Sequence, residues 1–185
     1  GHRVTEVAAV HVAGGEVRDV YSTLVNPGRR IPRMITSLTG ITDAMVADAP
    51  SFFAIAPRLT QALEGRVFVA HNAAFDWRFV SAEMERSTGR ILSGRQLCTV
   101  RLSRRLLPHL PSRSLGALAE YFDLGMETHH RAAADATATA KLLLRLIDLL
   151  AERGIEDWAG VEQLLNTRVT ARRPRRASPR STDRA

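Results

Sequence analysis

Val67-Phe68-Val69-Ala70-His71-Asn72-Ala73-Ala74-Phe75-Asp76 is the stretch that decides the fold. Its first four residues form a short continuous apolar run, the pattern of a strand buried on both faces of an α/β sheet. The run stops at His71, Asn72 and Asp76, and ligands of open α/β sheets bind beyond the carboxyl ends of the strands. Ala73 and Ala74 leave room for a substrate backbone beside those polar groups. Asp76 falls in the first turn of the helix that follows, where its hard carboxylate oxygens suit a divalent cation. The same positions also suit Asn72 and Asp76 as caps of that helix.

On the amino-terminal side, Val4, Glu6, Ala8, Val10 and Val12 alternate up to Ala13-Gly14-Gly15, and Val17, Val20, Leu24 and Val25 follow, which predicts a β-hairpin closed by a glycine turn. Asn26-Pro27-Gly28 ends it, and a loop with short helical pieces leads through Leu38-Thr39-Gly40-Ile41-Thr42 to Pro50. Ser51 caps a helix with Phe52, Ile55, Leu59 and Leu63 on one face and Gly65 at its end. On the carboxyl-terminal side the pattern predicts a helix from Ala74 to Arg86, a strand at Leu97-Cys98-Thr99, and helices over 100–107 and 114–122. A long last core helix carries Ala136, Ala140, Leu143, Ile147 and Leu150 on one stripe, with Gly154 stopping it, and a short helix over 155–166 follows. The order of elements is that of one mixed α/β domain.

Composition narrows the function classes. The 185 residues are 45% apolar and 24% charged, enough for one buried core, and the single cysteine, Cys98, excludes an internal disulfide framework and fits a reducing, cytoplasmic compartment. The longest apolar stretch, Leu142 to Leu150, is interrupted by Arg145 and Asp148 and is far shorter than the roughly 18 residues of a membrane span. The formal charge of +7 is concentrated at one end: seven of the 26 basic residues lie in 168–185 against Asp183 alone, leaving 19 basic against 18 acidic residues elsewhere. Residues 1–166 therefore read as the domain and 167–185 as an Arg- and Pro-rich disordered tail, either idle or adding sequence-independent attraction to phosphates.

A second polar cluster, His129-His130-Arg-Ala-Ala-Ala-Asp135, precedes the long last helix. On a continuous helix His130 and Asp135 would stand about 140° apart. With the histidine in the preceding loop and Asp135 in the first turn, both can face one pocket. A carboxylate that holds a metal beside a histidine that titrates near neutrality is the equipment of metal-assisted hydrolysis. A helix cap beside two solvated histidines is the plainer reading of the same residues.

Taken together, His71-Asn-Ala-Ala-Phe-Asp76 and His130 followed by Asp135 resemble the second and third motifs of the histidine-type DEDD 3′–5′ exonucleases, the family of the proofreading epsilon subunit of bacterial replicative polymerases. Arg3-Val-Thr-Glu6-Val-Ala-Ala-Val resembles that family's second strand, Leu38-Thr39-Gly40-Ile41-Thr42 its segment near the 3′-terminal nucleotide, and Ser114-Leu-Gly-Ala-Leu118 the helix before its third motif. The resemblance spans about residues 1–150. It implies an α/β, ribonuclease H-like fold with a mixed central sheet flanked by helices, and hydrolysis of 3′-terminal phosphodiesters with two divalent cations, Mg2+ or Mn2+.

Asp76 and Asp135 are then metal ligands and His130 the general base. Leu38 and Ile41 pack against terminal bases, and Asn72 and Phe75 line the nucleotide site. The implied partners are single-stranded or frayed 3′ ends of DNA, or of RNA, and a DNA polymerase subunit, with no membrane. The family's first motif, Asp-x-Glu on the central strand, is absent from these residues, and Glu6 belongs to the next strand and does not replace it. The expectation is an exonuclease domain that is incomplete at its amino terminus and lacks two of four metal carboxylates. The competing expectation is a catalytically silent nucleic-acid-binding or polymerase-associated scaffold of the same fold.

Overall fold

The computed structural model describes residues 3–125 and 131–167. The hairpin forms from β1 (Glu6–Ala13) and β2 (Glu16–Leu24), antiparallel, with Val10 opposite Val20 and a register shift between His11 and Val12. Gly14 and Gly15 close it at φ +61° and +78°, so both central positions of a two-residue turn are left-handed and glycine meets the requirement without strain. Two short helices follow, α1 (Arg33–Thr39) and α2 (Asp43–Val46), then α3 (Phe52–Leu63), whose first turn is capped by Ser51 Oγ accepting from the Ala54 N–H.

The deciding stretch becomes β3 (Phe68–Ala70) and α4 (Ala73–Thr88), and β4 (Gln96–Cys98) returns parallel to β3, with Val69 opposite Leu97. This strand-helix-strand unit is the standard route to parallel pairing. The helix runs two residues past the expected Arg86, to a left-handed Gly89 whose N–H caps the Glu85 carbonyl. Strand β4 begins and ends one residue earlier than expected, because Thr99 already starts α5 (Thr99–Leu106). The remaining helices are α6 (Leu115–Tyr121), α7 (Ala132–Ala151) and α8 (Trp158–Asn166), with Ser114 and Asp157 accepting the cap bonds of α6 and α8.

Both strand orientations of a mixed sheet are present, but as two separate pairs, β1 with β2 and β3 with β4. Between them lies a cavity of 1830 Å³, walled by β1, β3 and one face of α7. This corrects the reading of β3 as buried on both faces. All three of its residues are half-buried, because the cavity opens alongside the strand.

The cavity also divides α7. Leu142, Leu143, Leu146 and Leu150 are buried in the main core with Leu102, Leu106 and Leu118, and Ala136, Ala140, Leu143 and Ile147 border the cavity, so that Leu143 belongs to both. Of the stripe expected to be core, Ala140, Leu143 and Leu150 are buried, Ala136 is half-buried and Ile147 is 45% exposed. A smaller core unites Val7 and Val25 with Phe52, Ile55, Leu59 and Met84. Among the described residues no helix is long and apolar enough to cross a membrane.

Candidate active site

Strand β3 ends at Ala70 on the cavity, and the chain turns into α4 within two residues. Asn72 makes that turn at φ +73°, a left-handed conformation that asparagine tolerates better than most non-glycine residues. Its side chain makes no cap hydrogen bond and is exposed, so the capping reading of Asn72 does not describe it. Ala73, fully packed at the start of α4, puts Asp76 in the first turn, where its carboxylate lines the cavity and takes a hydrogen bond from its own backbone N–H.

Asp135 reaches the same cavity from the first turn of α7. Its N–H donates to the Arg131 carbonyl at 3.0 Å. The start of α7 is held from β1: Glu6, 8% exposed, accepts from Arg131 Nη2 at 2.8 Å and Nε at 3.1 Å, and its second oxygen accepts from the Ala132 N–H at 2.9 Å. One carboxylate thus engages a guanidinium fork and the positive end of a helix. With its charge already committed, Glu6 is a positioning residue rather than a substitute metal ligand.

The electrostatics mark Asp76 and Asp135 as a pair. Burial raises the Asp76 pKa above its ordinary value, its own backbone N–H opposes the rise, and the charge of Asp135 adds to it. Two carboxylates that repel each other in one cavity suit a divalent cation between them, which would relieve both burial and repulsion. Beside them His71 Nδ1 is 2.9 Å from the hydroxyl of fully buried Thr99. Burial lowers the His71 pKa, while a backbone hydrogen bond with Arg113 and the charge of Asp135 act the other way. Among the described residues no three His, Cys, Asp or Glu side chains converge as a metal-holding group. His130, the expected base, and His129 lie outside the described residues.

The softer assignments separate. Leu38, 59% exposed, and Phe75, also exposed, both line the cavity that holds Asp76 and Asp135. Ile41 borders the cavity but is buried against Ile31 and Val46, as a core residue. Asn72 stands at the mouth of α4 and is not part of the cavity wall. The sequence reading did not find the clamp of Glu6 with Arg131 or the contact of His71 with Thr99. Arg131 sits inside the quoted His-x4-Asp segment, and that position was the one available hint.

Comparison with known proteins gives the family. The model of the family described as Exonuclease (RNase_T) matches residues 1–143. The DNA polymerase III subunit epsilon of Aquifex aeolicus (strain VF5) is 35% identical over 164 residues, covering 87% of this chain and 80% of that protein. A Mycobacterium tuberculosis protein named as a bifunctional exonuclease/endonuclease is 40% identical over 175 residues, 94% of this chain. The chain spans only 27% of the length of that relative. The solved structure of exonuclease X in complex with 5′ overhanging duplex DNA superposes with a TM-score of 0.65 at 34% identity, over 78% of this chain and 82% of the other.

Proposed function

The chain belongs to the exonuclease family whose model matches residues 1–143, and on that premise we propose that it removes nucleotides from the 3′ ends of DNA by hydrolysing the terminal phosphodiester. The observation that carries the proposal is the pair Asp76 and Asp135, two carboxylates from different helices on one cavity, where burial and then the charge of Asp135 raise the Asp76 pKa. They would hold a divalent cation, Mg2+ or Mn2+. A cation bound there supplies Lewis acidity at the phosphate and charge to offset its oxygens.

The rest falls to the chain itself. Leu38 and Phe75 offer apolar surface to the terminal base from two sides of the cavity. The half-buried His71 stiffens the β3–α4 turn through Thr99, and the Glu6–Arg131 clamp sets where α7 presents Asp135. In this proposal His130, from the family spacing, takes the proton of the attacking water. Two cations would need two further carboxylates. The edges of β1 and β3 that border the cavity are paired on one side only among the described residues, and there one more strand would find backbone partners. The protein is proposed to act in the cytoplasm, on single-stranded or frayed ends and alongside a DNA polymerase, with RNA ends open to the same chemistry.

The test is a digestion of 5′-labelled oligodeoxynucleotide by the protein as its own cell makes it, with Mg2+ present. We expect stepwise shortening from the 3′ end with release of nucleoside 5′-monophosphates, lost on chelation. Asp76→Asn and Asp135→Asn should each lower the rate at least about a thousandfold, the several kcal/mol that a metal-held phosphate is worth. Cation-independent binding of the oligonucleotide with an intact 3′ end would overturn the proposal in favour of a silent scaffold.

A further inference from the structure

The segment from Arg29 to Leu38 has features that neither the core nor the carboxylate pair accounts for. Arg29, Arg30 and Arg33 place three positive charges within five residues, all three exposed. The acidic group facing them is Asp43, whose Oδ1 accepts the Ile31 N–H at 2.8 Å and which shares a shallow depression with Arg29 and Arg30. Elsewhere, arginines such as Arg3, Arg86 and Arg131 are matched with carboxylates, and Arg58 and Arg95 lie over aromatic rings. Arg30 and Arg33 enter none of these ion pairs or ring contacts among the described residues.

Helix α1, which Arg33 begins, buries none of its residues. Met34 and Leu38, one turn apart and so on one face, are 75% and 59% exposed. Leu38, Arg29 and Arg30 line the same cavity as Asp76 and Asp135, so the cationic and apolar surface is continuous with the carboxylate pair.

A ligand suited to this strip carries regular negative charge and exposed flat apolar faces along one chain. We infer that Arg29, Arg30, Arg33 and Met34 form a track for single-stranded nucleic acid, holding phosphates and unstacked bases on the 5′ side of the nucleotide that reaches Asp76 and Asp135. Single strands present base faces to side chains, whereas a duplex hides them in its stack and gives Met34 nothing to cover. The inference rests on the exonuclease reading for the direction of the strand, and on the strip alone for its chemistry.

Binding, kept apart from hydrolysis, tests it. Fluorescence anisotropy of 5′-fluorescein-labelled dT12 with the full chain, in Ca2+ without Mg2+, gives Kd across a KCl series. Each single-strand phosphate contact contributes about 0.7 to the slope of log K against log salt. Arg30→Gln/Arg33→Gln, at exposed positions that enter no ion pair among the described residues, should therefore reduce the slope by about 1.4. Met34→Ala should weaken dT12 several-fold and leave a blunt duplex of the same length unaffected. An unchanged slope in the arginine variant, an equal Met34→Ala loss on duplex, or no binding of dT12 by the parent would each overturn the track. Slope and strand preference as expected, in a protein that releases no mononucleotides with Mg2+, would leave the track standing and remove the exonuclease reading. Mononucleotide release with an unchanged slope would do the reverse.

Discussion

The two faces of α7 use the same residue types for opposite ends. Leu142, Leu146 and Leu150 close the main core with α5 and α6, while Ile147, one residue further along the chain than Leu146, is exposed on the cavity that holds Asp76 and Asp135, and Leu143 is buried between the two. The same division separates the helical part of the molecule from the hairpin. The helical part is held by buried apolar area. The hairpin, where β1 buries only Val7 fully, is held by its ladder, by Val7 in the smaller core and by the Glu6 clamp onto α7. Buried apolar area is concentrated on one side of α7, and the cavity lies on the other.

The largest expected effect on stability sharpens that contrast between neighbours. Leu146→Ala should cost about 3 kcal/mol in urea unfolding, as a fully buried leucine leaving a cavity. Ile147→Ala, at a half-open wall position, should cost well under half of that. Equal losses at the two positions would erase the distinction between core face and cavity face.

Cutting the hairpin's polar anchor comes next. Glu6→Gln should cost about 2 kcal/mol, since Arg131 and the Ala132 N–H lose a charged acceptor. Hydrogen exchange should rise in β1 and the first turn of α7 and leave Leu102 to Leu106 protected. A paired Glu6→Gln/Arg131→Met variant should recover part of the loss, because no partly buried charge is then left alone. Uniform exchange across the molecule would show that the clamp does not serve the hairpin side in particular.

The smallest effect is a pH dependence. Burial keeps the His71 pKa in the folded protein below its ordinary value of 6.5, so the unfolded chain takes up the proton first as pH falls. The stability associated with neutral His71 is thus complete above that value and is lost as pH drops from it toward the lower folded pKa. His71→Gln should flatten the fall in unfolding free energy between pH 7 and pH 5, measured by urea titration at each pH. An unchanged fall would assign it to other groups.

What could be read in the chain follows the range of the forces involved. The caps at Ser51 and Ser114 and the Gly14-Gly15 turn act within four or five residues, so their residue types predict them. The placement of Asp76 and Asp135 in first helical turns follows from the same local rules, and the motif resemblance paired the two. The stripe Ala136, Ala140, Leu143, Ile147 and Leu150 holds at Ala140, Leu143 and Leu150, which are buried, and fails at exposed Ile147, because apolar periodicity records which side of a helix avoids water and not whether a neighbouring element covers each position.

Local chain physics therefore accounts for the elements, their order and the two carboxylates. Only the folded arrangement decided that β1 and β3 stand apart across a cavity and that Glu6 grips Arg131 from 125 residues away. The same holds for His71, which meets Thr99 across 28 residues. Such contacts pair residues that carry no mark of each other along the chain. Their partners are set by how whole strands and helices pack, and a carboxylate like Glu6 reads as an ordinary strand residue until α7 is laid against it.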